Sequence, residues 1–434
     1  MLGTKSIGTP WSPVAVERKE RALRVLMINQ VFYPDVAATA QHAHDLSRSL
    51  VASGHEVSII ASRALYGQKG AALPAYEEID GIKVHRVGRS FFGKSSIVAR
   101  IFDFGYFYLA AAGKVLMLRR HDVSVCFTTP PFIALLGWCL RLLKGTKMVY
   151  WVMDLYPDLP VACGVMREGT FSTRFFEAIN RFCLRKADAV VALGRCMRDR
   201  ILAKGIDKDQ VQIIGVWTDS EEVKPIPREE NQYRKEWGIE NRFLVMYSGN
   251  FGLGHDVDTF LQAAQRLQGD DRIRFAFVGG GKKKSIVEDF VNENQLINSV
   301  LAPYQPRENL DELLSAADCH LVSLLVGVEG IMVPCKLFGI LAAARPALFV
   351  GSERSEIAKV IQDDACGSTV EEGDVDTLVR VILAYADDSD LARQQGDAGR
   401  NALIEKHATV HRCAAWEKLL KSVVGQPKPE AMGA

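Results

Sequence analysis

The stretch from Arg24 to Ala61 restricts the fold more than any other part of the chain. Arg24-Val-Leu-Met-Ile-Asn29 is a continuous apolar run, the pattern of a strand covered on both faces. A helical pattern over about residues 40–53 follows, with Leu46 and Leu50 one turn apart. Gly54 closes it, where a left-handed residue is wanted. His55-Glu-Val-Ser-Ile-Ile-Ala61 then reads as a second strand. Strand, loop, helix, glycine and strand make a βαβ unit. The sheet is therefore parallel, and ligands should bind beyond the carboxyl ends of its strands. The loop from Tyr33 to Gln41 leaves such an end.

The unit repeats. Further strand patterns cover residues 81–86, 123–128, 147–153, 188–193 and 211–215, alternating with helical ones such as 175–186. This predicts one doubly wound α/β domain over residues 21–216. Residues 217–233 are polar, hold Pro225 and Pro227, and read as a linker. The alternation then restarts. Strands are predicted at 243–248, 273–278, 320–326 and 347–350, and helices near 258–268, 284–295, 375–387 and 390–405. The fold class is α/β, with a second Rossmann-like domain over 234–405 facing the first across a cleft. A last helix, 406–424, is expected to pack back on the first domain. Residues 1–20 read as a disordered leader and 425–434 as a loose tail.

Length and composition narrow the function. A chain of 434 residues suits two or three domains. Its formal net charge of +1 gives no general attraction for nucleic acid. Nine cysteines are scattered without Cys-x-x-Cys or metal spacing, which points to reduced thiols in a cytoplasmic protein. No uncharged apolar run reaches the roughly 18 residues of a spanning helix. Residues 106–118 and 132–143 come nearest, and both read as buried helices. A rival reading takes residues 91–120 as a peripheral membrane contact, because aromatics mix there with Lys94, Arg100, Lys114, Arg119 and Arg120.

The richest stretch runs from Gly327 to Pro346. A strand empties into a loop holding Glu329 and Gly330, and Pro334 is placed where a helix would begin. Backbone N–H groups gathered at such a point attract phosphate, and Lys336 adds a positive charge. Glu329 can accept hydrogen bonds from sugar hydroxyls; the competing reading is a solvated loop acid. Ser248-Gly-Asn-Phe-Gly-Leu-Gly-His255 follows another strand, so Gly249, Asn250 and Gly252 let a backbone approach an anion closely. Gly279-Gly-Gly-Lys-Lys-Lys284 is a second such turn, and its lysines read first as a solvated run. Arg307 can fork onto phosphate or a sugar hydroxyl, or simply pair at the surface. In the first half Asp154 and Asp158 flank Tyr156-Pro157 at a strand exit, where either could orient a hydroxyl or act as a base. Tyr33, Asp35 and Thr39 line the earlier exit; with Asp158 they are the candidate acceptor contacts. No Ser-His-Asp order, His-Glu-x-x-His or Walker loop is present, and no metal set is evident. Anion stabilisation between two lobes is the chemistry that fits.

These stretches, taken together, resemble the family-4 glycosyltransferases of the two-Rossmann GT-B fold. The likeness extends to their colanic-acid and O-antigen subgroup. It rests on residues 29–41, 151–158, 248–252 with His255-Asp256, 303–307, 333–336 and 341–346. The resemblance implies a retaining transferase with a UDP- or GDP-sugar donor, no cofactor and no metal. Its acceptor would be a saccharide or polyprenyl-linked sugar in cell-surface polysaccharide synthesis. It implies that the diphosphate meets Gly252, Lys336 and the amides after Glu329, that Arg307 lies near the base, and that Glu329 meets the donor sugar. Glu329 and Asp154 are the candidate catalytic residues. The chain departs from the family at Gly339, where members often carry a second glutamate although the subgroup shows this glycine, and at Leu253, where many carry a basic residue. Those two departures favour a rival reading, a catalytically silent sugar-nucleotide-binding partner. A nucleotide-sugar epimerase on the same fold and a Rossmann oxidoreductase are the other rivals.

Overall fold

The computed structural model describes residues 21–35, 37–65, 72–88 and 97–425. The predicted leader and nearly all of the tail lie outside these residues. Eight strands form the first sheet: β1 (Arg24–Ile28), β2 (Glu56–Ser62), β3 (Tyr76–Ile79), β4 (Ile82–Val87), β5 (Val123–Cys126), β6 (Lys147–Val152), β7 (Ala189–Ala192) and β8 (Val211–Ile213). Their order is β3-β4-β2-β1-β5-β6-β7-β8, all parallel except the β3–β4 edge pair. Val25, Leu26, Met27 and Ile28 are fully buried, which explains why β1 is apolar on both faces.

Six strands form the second sheet: β9 (Phe243–Asn250), β10 (Ile273–Gly280), β11 (Ser299–Ala302), β12 (Cys319–Ser323), β13 (Ala347–Val350) and β14 (Gly367–Val370). They run in the order β11-β10-β9-β12-β13-β14, all parallel. Each sheet reverses its direction of winding at one place, between β1 and β5 in the first and between β9 and β12 in the second. Crevices beyond the strand ends open at such switch points. Tyr33 and Asp35 leave β1, Asp154 leaves β6, Gly249 and Asn250 end β9, and the Glu329 loop leaves β12.

Several boundaries move. The strand expected over 320–326 is Cys319–Ser323; Leu324 still donates to the Val350 carbonyl at 3.1 Å, and from Leu325, which donates to the Gly254 carbonyl, the chain leaves the sheet. The helix expected from Pro334 begins at Lys336 and ends at Ala342. The polar stretch 217–233 gives up its last residues to a short helix, Gln232–Glu236, whose N-cap Asn231 accepts from the Arg234 N–H. The C-terminal helix Thr409–Gly425 returns to the first sheet and sets Trp416 on Trp151, ring centroids 4.4 Å apart.

Candidate functional site

The ends of β9 and β10 lie in register, Gly249 opposite Gly279 and Asn250 opposite Gly280. A Cβ on Gly279 would sit 2.0 Å from the Gly249 carbonyl oxygen, so these two strand ends touch main chain to main chain. Gly249 itself has φ +128°, and a Cβ there would meet the Lys336 side chain at 2.7 Å. Lys336 therefore crosses from its own helix to cover the glycine turn. Its ammonium lies 4.0 Å from the Tyr247 ring centroid, donates to the Tyr247 hydroxyl, and donates to the Asn250 carbonyl at 3.1 Å.

No carboxylate among the described residues pairs with this ammonium. Burial alone, only slightly offset by Cys335, pulls its pKa from 10.5 down to about 7. A cation held on aromatic and carbonyl groups, without a counter-ion, is poised for an anion. Its helix has seven residues and a weak dipole, so Lys336 would carry most of the grip. His255 lies close by; its Nδ1 and the Ser323 carbonyl are 2.6 Å apart, and a carbonyl can only accept, so Nδ1 holds the proton. Burial lowers its pKa to about 3, aided by the charge of Lys336, so the ring is neutral.

The Glu329 loop lies against the end of the same glycine turn, where a Cβ on Gly254 would stand 3.1 Å from the Met332 sulfur and 3.7 Å from Val328. Glu329 Oε2 accepts from the Gly327 N–H at 2.8 Å, while Oε1 is buried without a partner. An unpaired buried carboxylate oxygen is costly unless a ligand supplies a donor. Gly330 does not face this crevice. Its φ is +71°, and a Cβ there would stand 2.5 Å from the Cys196 carbonyl oxygen of the first lobe. Gly252 lies beyond the turn, beside the Asn250 amide and His255.

From the first lobe, Asp154 meets this loop directly. It forms an isolated bridge with Met332, and the Leu155 N–H donates to the Ile331 carbonyl at 2.8 Å. Burial raises the Asp154 carboxyl from 3.8 to about 6. Tyr33 is exposed and stacks on His44, with centroids 4.5 Å apart. Asp35 is buried and accepts from the Ala37 N–H at 3.0 Å, and Thr39 is half-buried at the start of the helix Ala38–Ala52. Asp158 is bound elsewhere, in an ion pair with Lys204 at 2.9 Å that Glu177 shares at 2.8 Å. Arg307 pairs with Glu222 at 2.9 Å, and its charge reaches His42 and Asp45 of the first lobe. Among the described residues, no group of three His, Cys, Asp or Glu side chains could hold a metal ion. Sequence reasoning missed Arg200, which donates to the Gly327 carbonyl at 3.1 Å and to the Glu329 carbonyl.

Two parallel-sheet lobes with facing switch points define the GT-B class of glycosyltransferase. Sucrose-phosphate synthase from Thermosynechococcus elongatus shares the fold with a TM-score of 0.75, covering 92% of this chain and 99% of that one at 15% identity. WaaG, a glycosyltransferase involved in lipopolysaccharide biosynthesis, gives 0.66 over 93% and 100% at 18% identity. Anabaena HepE, solved in complex with UDP-glucose, gives 0.69 over 92% and 100% at 11% identity.

Residues 38–217 match the Glycosyl transferase 4-like domain, and residues 229–402 match Glycosyl transferases group 1. The chain belongs to the family-4 glycosyltransferases of GT-B fold. Among its relatives, the putative colanic acid biosynthesis glycosyl transferase WcaI of Escherichia coli K12 is 24% identical over 83% of this chain and 91% of its own length. The probable glycosyltransferase WbjE of Pseudomonas aeruginosa is 29% identical over 61% of this chain and 66% of its own.

Proposed function

We propose that this protein is a retaining glycosyltransferase of cell-surface polysaccharide synthesis, moving a sugar from a UDP- or GDP-sugar to a saccharide or polyprenyl-linked acceptor. The observation that carries the reading is Lys336, a cation without a counter-ion, laid over the Gly249 turn at the switch point of the second sheet. The donor diphosphate lies on Lys336 and the main chain at Gly252, since the Phe251 N–H is already taken by the Gly280 carbonyl at 2.7 Å. Glu329 accepts from the sugar's hydroxyls through its unpaired oxygen. The bond from the anomeric carbon to the diphosphate oxygen breaks, and the bond to the acceptor oxygen forms on the same face. The acceptor's proton passes to the departing diphosphate oxygen. Lys336 neutralises charge as it develops on that oxygen, so the reading needs no metal. Asp154 orients the acceptor hydroxyl from the first lobe, with Tyr33, Asp35 and Thr39 further along the same edge.

A lipid-linked acceptor would bring the first lobe to a membrane on its cytoplasmic side. Among the described residues no helix is long and apolar enough to cross a membrane. The helix Ile97–Met117 instead exposes Phe102 (66%), Leu109 (76%) and Met117 (83%), at the spacing of one helical face. The Lys144 ammonium caps the Val115, Leu116 and Leu118 carbonyls at 3.0, 2.8 and 2.6 Å, which brings exposed Leu142 and Leu143 to the same end. Arg119 and Arg120 are exposed beside them, a charge suited to anionic headgroups. Of the segment 91–120, residues 91–96 lie outside the described ones.

A panel of nucleotide sugars screened by thermal shift, followed by transfer to lipid-linked acceptors, tests the activity. Lys336→Ala should weaken UDP or GDP binding roughly tenfold to a hundredfold, the worth of a charge-assisted contact. Wild-type affinity in that variant would remove the site. In flotation with phosphatidylglycerol vesicles, Leu109→Glu with Met117→Glu should leave the protein at the bottom of the gradient; a wild-type protein that also stays there removes the membrane contact.

A further inference from the structure

The loop that carries Glu329 belongs to the second lobe, yet the first lobe holds it. The Arg200 guanidinium, on the helix Arg195–Ala203, donates to the carbonyls of Gly327 and Glu329. These carbonyls bracket the carboxylate, because the Gly327 N–H is the donor that Glu329 Oε2 accepts at 2.8 Å. One guanidinium thus holds two residues by their carbonyls: the glycine whose N–H orients the acid, and the acid itself. A rigid planar fork can hold two carbonyls at once; an ammonium has no such fork. Two further contacts come from the same lobe. Gly330 lies against the Cys196 carbonyl with no room for a Cβ, and the Leu155 N–H donates to the Ile331 carbonyl. The diphosphate grip differs, because Lys336, Tyr247, Gly249 and Asn250 all belong to the second lobe and hold one another.

We infer that Arg200 is a positioning residue for sugar transfer: from the first lobe it fixes the loop that aims Glu329, so the sugar site is complete only while the two lobes meet. This rests on the transferase reading above. Diphosphate binding and sugar alignment are then separable, the first made by one lobe and the second by both. A donor bound between separated lobes is gripped but not aligned, which guards it against transfer to water.

The test compares the full-length protein with Arg200→Ala and Arg200→Lys. UDP and GDP affinities are read by calorimetry, amide exchange over residues 325–333 by mass spectrometry, and kcat and donor KM by transfer assay. Arg200→Ala should keep diphosphate affinity and donor KM within about threefold. It should speed exchange in the loop about tenfold and cut kcat roughly tenfold to a hundredfold, the range for a misplaced catalytic contact. Arg200→Lys should recover part of kcat, because it keeps a cation on the loop carbonyls but loses the fixed plane of the fork. Wild-type kcat in Arg200→Ala overturns the inference. So does a loss of kcat and diphosphate affinity in step with a falling Tm, which marks a merely structural residue. If the wild-type protein transfers no sugar, the functional reading fails, and the exchange measurement still decides whether Arg200 orders the loop.

Discussion

Asp154 shows how a single residue reports on the crevice. Its carboxyl is pushed up from 3.8 to about 6 by burial. The folded state therefore holds that proton more tightly than the unfolded state between those two values. The cost of a buried carboxylate is absent below pH 3.8, grows through the window and is full above about 6. Asp154→Asn removes the charge and keeps the shape. Its Tm should exceed that of wild type by roughly 2 °C at pH 7.5 and converge with it near pH 4, read by scanning calorimetry. An equal Tm difference at both pH values would show that the charge is not what burial penalises. At this scale the sequence is legible where a residue type is rare or conformationally special. Lys336, Gly249 and Asn250 were found that way, and the structure brings them together. Asp158 and Arg307 were read as candidate contacts, and the structure ties them to Lys204 and Glu222, 46 and 85 residues distant. Arg200 had no signature at all, because its partners are main-chain carbonyls 127 and 129 residues away.

At the scale of elements, central strands were legible and, apart from β8, the edges were not. β1, β2 and β6 are buried on both faces and announce themselves as apolar runs. β3 alternates exposed and half-buried residues around Glu77 and Glu78, β11 is four half-buried residues, and β14 opens on a glycine. Each lies at or beside a sheet edge, where a single buried face weakens the pattern. Glycine spacing, by contrast, located the turn at the end of β9. The two glycines there should respond differently to a methyl group. In Gly249→Ala the Cβ meets the flexible Lys336 stem at 2.7 Å, so the stem is displaced from its carbonyl and the diphosphate grip is lost; φ +128° adds about 1–2 kcal/mol of strain. In Gly279→Ala the Cβ would sit 2.0 Å from a main-chain oxygen that cannot yield. That variant should lose more than about 3 kcal/mol of stability. Urea unfolding together with UDP calorimetry separates the two. Equal stability in both variants would mean that the strand ends can part without cost.

Across the whole molecule, two stretches of chain cross between the lobes, and they run side by side. Thr218, leaving the first lobe, bridges Ala408, which returns to it. Both crossings are fastened to the first sheet by tryptophan. Trp217 stacks near Trp151 with centroids 5.6 Å apart, and Trp416 lies on the same ring at 4.4 Å. All three are buried, and polar contacts finish the joint: Ser53 donates to Glu417 at 3.1 Å, and His55 lies 3.1 Å from its other oxygen. The returning helix is therefore part of the first lobe's core rather than an appendage of the second. If lobe contact aligns the sugar site, the hinge must be anchored firmly at one end while the crevice end remains able to part. Trp416→Ala leaves a large void against Trp151 and should cost roughly 3–5 kcal/mol, seen as a lower urea midpoint. UDP affinity of the folded fraction should hold within about threefold, because the diphosphate grip belongs to the second lobe; Trp416→Phe should recover part of the midpoint. A Trp416→Ala midpoint equal to that of wild type would mean that the returning helix anchors nothing, and lobe geometry would then have to be set by the crevice contacts alone.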